Sequence, residues 1–351
     1  MPELLDQPDA DLSAFIADLP KAELHVHQVG SASPRIVTEL AERHPEAGVP
    51  ADLDTLIDYF TFTDFADFIR VYLSVVDLIR DAEDVRLLTY EVAGELAQQG
   101  VRYAELTVTP YTSVLRGIAP EAFLEAIDDA RTGARRDHGI ELQWIFDIPG
   151  ESGIPAAETT CDIAVDLGSP GLIGFGLGGP EIGVPRPQFK PYFDRARAAG
   201  LHSLPHAGET TGPQTIVDAL DQLGAERIGH GTSAAQDQRL LARLAETGIC
   251  LEVCPTSNVS TGAVPELADH PLPRMVEAGV TVTINSDDPP MFGTTLNREY
   301  EIAAGLLGLD HDGVAELART AVRQSFAPAD TRRRLLAEID SYAARRRDTP
   351  R

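Results

Sequence analysis

The chain reads as an α/β protein of the (β/α)8 TIM-barrel class, with a helical insertion after the first strand and helices at the C-terminal end. Three observations predict this. Eight short apolar, β-branched runs punctuate the sequence, at residues 22–27, 101–109, 142–149, 172–179, 201–206, 227–231, 250–254 and 280–287. From the second run onward their starts fall about 23 to 41 residues apart, the repeat of a strand–loop–helix–loop unit. The stretches between them are rich in Ala, Leu, Glu and Arg, and eight such units suit a closed parallel barrel. The alternative, an open doubly wound sheet, usually carries a glycine-rich phosphate turn after its first strand. Gln28-Val29-Gly30-Ser31 does not make one.

The length of 351 residues is within the range of one such barrel. A single domain over 1–351 is expected, with the barrel at about 21–326 and the insertion at about 34–99. The insertion carries helical pattern at 34–43, 53–60, 64–79 and 82–99, with Thr63-Asp64 and Asp81 as N-caps. Following the first strand, it should lie over the mouth of the barrel. Tyr59, Phe60, Phe62, Phe65 and Phe68 crowd into it, although aromatics are only 6% of the chain. Core packing of the inserted helices and an apolar wall for a ligand both account for them. From Asn297 onward the pattern is helical and ends in Arg345-Arg346-Arg347, expected to be frayed and solvated.

Composition narrows the function. A formal charge of -26 argues against binding a phosphate backbone, which wants a basic surface. No segment has the roughly 18 apolar residues of a membrane span, and 1–20 lacks the basic start and apolar middle of a signal peptide. A cytoplasmic protein acting on a small molecule, with no nucleic-acid or membrane partner, is the expectation. Cys161, Cys250 and Cys254 form no CxxC pair and read as small buried hydrophobes.

The chemistry starts in Glu23-Leu24-His25-Val26-His27. On a strand, Ala22, Leu24 and Val26 point one way and Glu23, His25 and His27 the other. The two imidazoles then stand roughly 7 Å apart along the strand and can converge on one ion. Barrel active sites are built at the C-terminal ends of the strands. The fifth run ends in His206-Ala207-Gly208-Glu209 and the sixth in His230-Gly231. The eighth ends in Asp287-Asp288 and the fourth in Gly178-Gly179-Pro180-Glu181. Each residue alone reads as structural; together, an HxH pair, a later His and a terminal Asp predict a divalent metal site. Three imidazoles and one carboxylate suit zinc. His44, His138, His202, His270 and His311 are read as structural or exposed.

The motifs Glu23–His27, Pro205–Glu209, Ile228–Gly231, Val253–Asn258 and Ile284–Pro289 resemble, in order, those of the adenosine deaminase family of the amidohydrolase superfamily. The resemblance implies that His25, His27, His206 and Asp287 hold one Zn2+, whose water becomes a usable hydroxide near neutral pH. It implies that His230 and Asp287 aim that water at purine C6. Glu209, with a carboxyl pKa raised by enclosure, would protonate ring N1. Asp288 would hydrogen-bond N7, and the Gly179 backbone N–H would approach N3. Deaminases that carry HxE…PCxxC belong to another fold, and that pattern is absent here.

Two departures concern the sugar end. The family's Leu-Asp-Gly after the second His is here Gln28-Val29-Gly30, and its Ala-Gly-Asp-Glu is Gly178-Gly179-Pro180-Glu181. An adenine nucleoside with a larger, less polar 5′ group fits these changes better than adenosine. The run from His27 to Arg35, with Gly183-Val184-Pro185-Arg186-Pro187, resembles the branch that deaminates aminodeoxyfutalosine in menaquinone biosynthesis. Its substrate carries a benzoate, which the resemblance would set against Phe62 and Phe65, with Arg35 or Arg186 meeting the carboxylate. Adenosine, adenine or another modified adenosine is the alternative substrate. A two-metal phosphoesterase or amidase would commonly need a bridging modified lysine or carboxylate, and no Lys ends a predicted strand. A non-catalytic binding module would be expected to have lost Glu209.

Overall fold

A computed structural model of the chain describes residues 10–60 and 65–348. Eight parallel strands pair in sequence order: β1 (Lys21–His27), β2 (Val101–Val108), β3 (Glu141–Pro149), β4 (Leu172–Gly178), β5 (His202–Ala207), β6 (Arg227–His230), β7 (Cys250–Val253) and β8 (Val282–Ile284). The eight predicted runs are these strands. The chain leaves β8 early, because Asp287 takes a left-handed backbone with φ of 65°. It still closes the ring: Asp287 bridges Val26, its N–H donating to His25 O at 3.1 Å while the His27 N–H donates to Asp287 O at 3.0 Å. A prospective site residue is therefore also the seam of the barrel.

The strands form where alternate apolar residues can be buried against surrounding helices. On β3, Leu142, Trp144, Phe146 and Ile148 are fully buried, and the indole N–H of Trp144 donates to Pro170 O at 3.0 Å. The intervening positions are freed for the barrel interior. The floor of that interior is charged. Arg227 at the start of β6 donates to Glu105 on β2 and to Glu252 on β7, its guanidinium lying 4.7 Å from the Phe326 ring centroid. Phe326 N–H donates to Glu105 at 2.6 Å, so the segment after the helix His311–Gln324 plugs the floor.

The insertion folds as expected into helices Pro34–Arg43, Leu53–Tyr59, Phe65–Val76 and Ala82–Gln98. Asp81 caps the last with a reciprocal capping box to Asp84. Thr63-Asp64, Phe62 and the side chains of Phe65 and Phe68 lie outside the described residues. Tyr59 and Phe60 pack against the core, as expected of core aromatics, and the Tyr59 hydroxyl donates to Ser74 Oγ at 2.9 Å. The basic C-terminus is exposed at Arg345 and Arg346, as expected, but helical rather than frayed. Helix Ala329–Asp348 runs through it, and Arg346 meets Asp18 at 3.0 Å. Burial of the Tyr342 ring against Phe15 gives that last turn a reason to stay helical. All three cysteines are buried and free. Among the described residues no helix is long and apolar enough to cross a membrane.

Candidate active site

The strand ends bring the predicted residues together. His25 and His27 leave β1, His206 leaves β5, His230 ends β6, and Asp287 follows β8. Ring centroids of His25 lie 5.4 Å from His27, 4.5 Å from His206 and 4.8 Å from His230. Ligand atoms of His25, His206, His230 and Asp287 all lie within 4.8 Å of one another, and His27, Asp287 and Asp288 form an overlapping group. His27 reaches the cluster through Asp287, with Nδ1 3.0 Å from Asp287 Oδ1.

The groups at this point face one another: Asp287 Oδ1 lies 3.5 Å from His25 Nε2 and 3.0 Å from His27 Nδ1. His25 Nε2, both ring nitrogens of His206 and Asp287 Oδ1 are buried and make no hydrogen bond. Buried polar atoms are rarely left so, and convergent imidazole and carboxylate atoms are the donor set of a borderline divalent cation. The residues present fit a metal ion. Their orientation is set from behind. His25 Nδ1 is 2.8 Å from Glu252 Oε2, and Ser257 Oγ donates to Asp287 Oδ2 at 2.6 Å. Holding the far nitrogen of a histidine this way fixes its tautomer and aims the near one.

Around this cluster stand the acids. Glu209, on the loop after β5, receives Thr261 Oγ1 at 2.9 Å on one oxygen, and its other oxygen lies 3.7 Å from His230 Nε2. Burial and the nearby Asp287 charge push its carboxyl up to about 8. The Glu209 loop is pinned by Glu181, which accepts from Glu209 N–H at 3.2 Å and Thr211 N–H at 3.0 Å. Asp288 Oδ1 lies 3.3 Å from His27 Nδ1, and burial followed by Asp287 raises its carboxyl above the usual range. A Cβ on Gly30 would overlap Asp288 Oδ1, so only glycine lets the loop after β1 pass this carboxylate. Gly179 stands at the end of β4 with φ of 76°, where a side chain would also strike Glu151.

His230 and Asp287 are the described non-glycine residues with positive φ, at 62° and 65°. Such backbone is sparsely populated for L-residues and clusters where a side chain must be re-aimed.

The sugar-side expectations fare differently. Arg35 is half exposed and already donates to Glu91 at 2.7 Å and to Glu95 at 3.0 Å, tying helix Pro34–Arg43 to helix Ala82–Gln98. Arg186 is fully buried: Nε donates to His206 O at 3.1 Å, Nη1 to Val184 O at 3.2 Å, and Nη2 lies 3.7 Å from Glu181. It braces the end of β5 from within. Arg186 Nη2 makes no hydrogen bond, and Arg35 remains half exposed with Nη1 outside its pairings to Glu91 and Glu95. Gln28 is buried with its amide turned to Thr89, and Val29 packs against the core.

Several residues of the mouth carried no role in the sequence reading. Asp147, two residues before the end of β3, accepts from Thr109 Oγ1 at 2.5 Å, and burial raises its carboxyl to about 6. Its position near a strand end was the available signal. Tyr72, from helix Phe65–Val76, is held well above the usual tyrosine range by burial and then by Asp288, Asp147 and Glu151, which brings the insertion to the mouth. No local pattern marks it. Glu252, Ser257 and Asn258 lie within or beside the motif Val253–Asn258, but only the fold shows what they touch.

A ring of unpaired histidine and aspartate atoms at the carboxyl end of a parallel barrel, with a proton-holding carboxyl beside it, defines a metal-dependent barrel hydrolase. The chain belongs to the adenosine deaminase family, whose sequence model matches residues 20–342. It is 66% identical, over 96% of its length and 95% of the relative's, to an aminodeoxyfutalosine deaminase of Streptomyces avermitilis. A second aminodeoxyfutalosine deaminase, from Streptomyces coelicolor, is 65% identical over 97% of this chain and 89% of the relative. An adenine deaminase of Rhizobium johnstonii is 38% identical over 92% of this chain and 99% of its own. Among solved structures, an adenine deaminase from Arthrobacter aurescens superposes with a TM-score of 0.86 at 32% identity, covering 93% of this chain and 99% of that one. An amidohydrolase from Burkhoderia ambifaria with bound Zn gives a TM-score of 0.86 at 25% identity, covering 99% and 98%.

Proposed function

We propose that the protein deaminates the 6-amino group of aminodeoxyfutalosine, releasing ammonia, with one zinc ion held by His25, His27, His206 and Asp287. Identity of 65–66% to two aminodeoxyfutalosine deaminases over nearly the whole chain carries the choice of substrate. The unpaired His25, His206 and Asp287 atoms support the metal, and the bound zinc of the Burkhoderia structure supports its identity. When bound, the ion supplies activated water at neutral pH.

The protein's own groups do the rest. Glu209, kept protonated by burial, gives its proton to ring N1 as oxygen adds to C6. This moves the electron pair of the C6–N1 double bond onto N1 and leaves C6 tetrahedral. The hydroxyl proton on the added oxygen then passes, by way of the Glu209 carboxylate, to the 6-amino group, which leaves as ammonia as the C6 carbonyl forms, and the next water gives a proton back to Glu209. Asp288 hydrogen-bonds N7 and the Gly179 N–H meets N3, fixing the plane of the purine. Gly30 allows Asp288 this position. The 5′ substituent lies toward the loop of Gln28 and Val29 and the inserted helices; Val29 stands where the family's Leu-Asp-Gly has the Asp that would accept from a ribose 5′-hydroxyl, and its side chain cannot accept.

Ammonia release from the zinc-loaded protein tests the reading, with aminodeoxyfutalosine, adenosine and adenine at matched concentrations. A kcat/KM for aminodeoxyfutalosine at least about 100-fold above the others is expected, since the missing 5′-hydroxyl partner costs affinity for the plain nucleoside. Equal or greater turnover of adenosine or adenine overturns the choice of substrate.

A further inference from the structure

Behind His230 runs a chain of hydrogen bonds with one possible direction. It begins at a backbone N–H, which can only donate: Leu272 N–H gives its hydrogen to His270 Nδ1 at 3.1 Å. With Nδ1 accepting, neutral His270 carries its proton on Nε2. That nitrogen lies 3.2 Å from Asn258 Oδ1 and donates to it. The amide of Asn258 is thereby fixed with its NH2 toward His230, 3.1 Å from Nδ1. His230 Nδ1 must accept, so its proton sits on Nε2, the nitrogen that faces Glu209 and Asp287 at 3.7 and 3.9 Å. His230, Asn258 and His270 are all buried, so water does not compete for these bonds. Burial also lowers His270 to about 4 and keeps it neutral.

We infer that Asn258 and His270 are positioning residues that lock His230 as a hydrogen-bond donor into the reaction centre. This deepens the deaminase reading and rests on it for the catalytic consequence. Two things follow. His230, though its ring stands among the four residues whose ligand atoms converge, is not a metal ligand, because ligation needs a bare nitrogen. It also cannot accept a proton from the attacking water through Nε2. It can stabilise the charge that grows on the added oxygen. Helix Leu272–Glu277 supplies the N–H that starts the chain, which ties the aim of His230 to an element far from it in sequence.

Asn258→Asp is the decisive variant. It has the same shape but accepts on both oxygens, so His230 must carry a proton on Nδ1 to be paired. Selectively 15N-labelled histidine in the zinc-loaded protein reads which ring nitrogen of His230 is protonated. The expected result is Nε2–H in the parent and Nδ1–H in Asn258→Asp. kcat should fall by about 100-fold or more, with KM and zinc content unchanged, as a wrong tautomer does elsewhere. His270→Gln, which keeps a donor toward Asn258, should retain most of kcat, whereas His270→Leu should not. A parent protein with its proton on Nδ1, or an Asn258→Asp variant with unchanged tautomer and kcat, overturns the inference. The spectrum reads the tautomer whether or not the protein deaminates a nucleoside, so failure of the substrate assignment is seen separately.

Discussion

The floor and the mouth of this barrel hold similar residues in opposite states. At the floor, Arg227 is enclosed by Glu105, Glu252 and the Gln324 carbonyl, with the Phe326 ring alongside. At the mouth, His25 Nε2, His206 and Asp287 Oδ1 are equally buried, yet converge on one another without hydrogen bonds. Glu252 belongs to both regions, taking Arg227 on one oxygen and His25 Nδ1 on the other. The difference teaches where function sits. A buried charge that is fully paired specifies structure. Buried lone pairs left unpaired, on a backbone bent to positive φ at His230 and Asp287, are held for something that is to bind there.

The comparison can be broken most sharply at the mouth. Glu209→Gln keeps the shape and removes the proton. Ammonia release should fall by about 1,000-fold or more, at the upper end of general-acid effects, with metal content and fold unchanged. A variant with near-normal turnover would remove Glu209 from the chemistry.

The floor should answer in stability instead. Arg227→Met leaves Glu105 and Glu252 buried without their guanidinium counter-charge, and denaturant unfolding should show a loss of about 3–5 kcal/mol. Adding Glu105→Gln should recover part of it. A loss below about 1 kcal/mol would mean that the floor is not the structural half of the pair.

Gly30→Ala probes the close passage of the first loop past Asp288. Because a Cβ there overlaps the carboxylate, kcat/KM should drop roughly 100-fold, the scale of a misplaced contact. Thermal stability should change far less than in Arg227→Met.

The smallest effect is in pH. The Glu209 carboxyl lies at about 8, above an ordinary glutamate value of 4.5. The acid is therefore present below about pH 8, and kcat should fall tenfold per unit as pH rises beyond it. For stability the sign is the same. The unfolded chain ionises Glu209 first, so this group erodes stability as pH rises from about 4.5 to about 8, after which its effect is constant. Glu209→Gln should abolish that slope, and a pH profile that is flat between 7 and 10 would contradict the assignment.

Most of the barrel was legible because each strand is a short apolar run set off by helical pattern, and position at a strand end is enough to nominate His25, His206, His230 and Asp287. The early end of β8 was not, since the turn to positive φ at Asp287 is imposed by pairing with Val26 across the barrel seam. The roles of Asn258 and His270 were hidden for the same kind of reason. They lie 28 and 40 residues beyond His230 in sequence and meet it only when β6, β7 and the helix Leu272–Glu277 are assembled. The partners of Arg35 and Arg186 were not legible either: Glu91 and Glu95 reach Arg35 from another helix, and Arg186 meets the His206 and Val184 carbonyls only once the chain has folded.

The central claim is that the unpaired atoms of the mouth are a metal site that serves deamination. The most direct measurement strips the protein with a chelator, returns zinc in steps, and follows Tm and ammonia release together. The account predicts that both fall on stripping and return at one equivalent per chain, since an ion bound only by the folded state raises its stability. His206→Ala should recover neither. A stripped protein that keeps its Tm and its turnover would contradict the account.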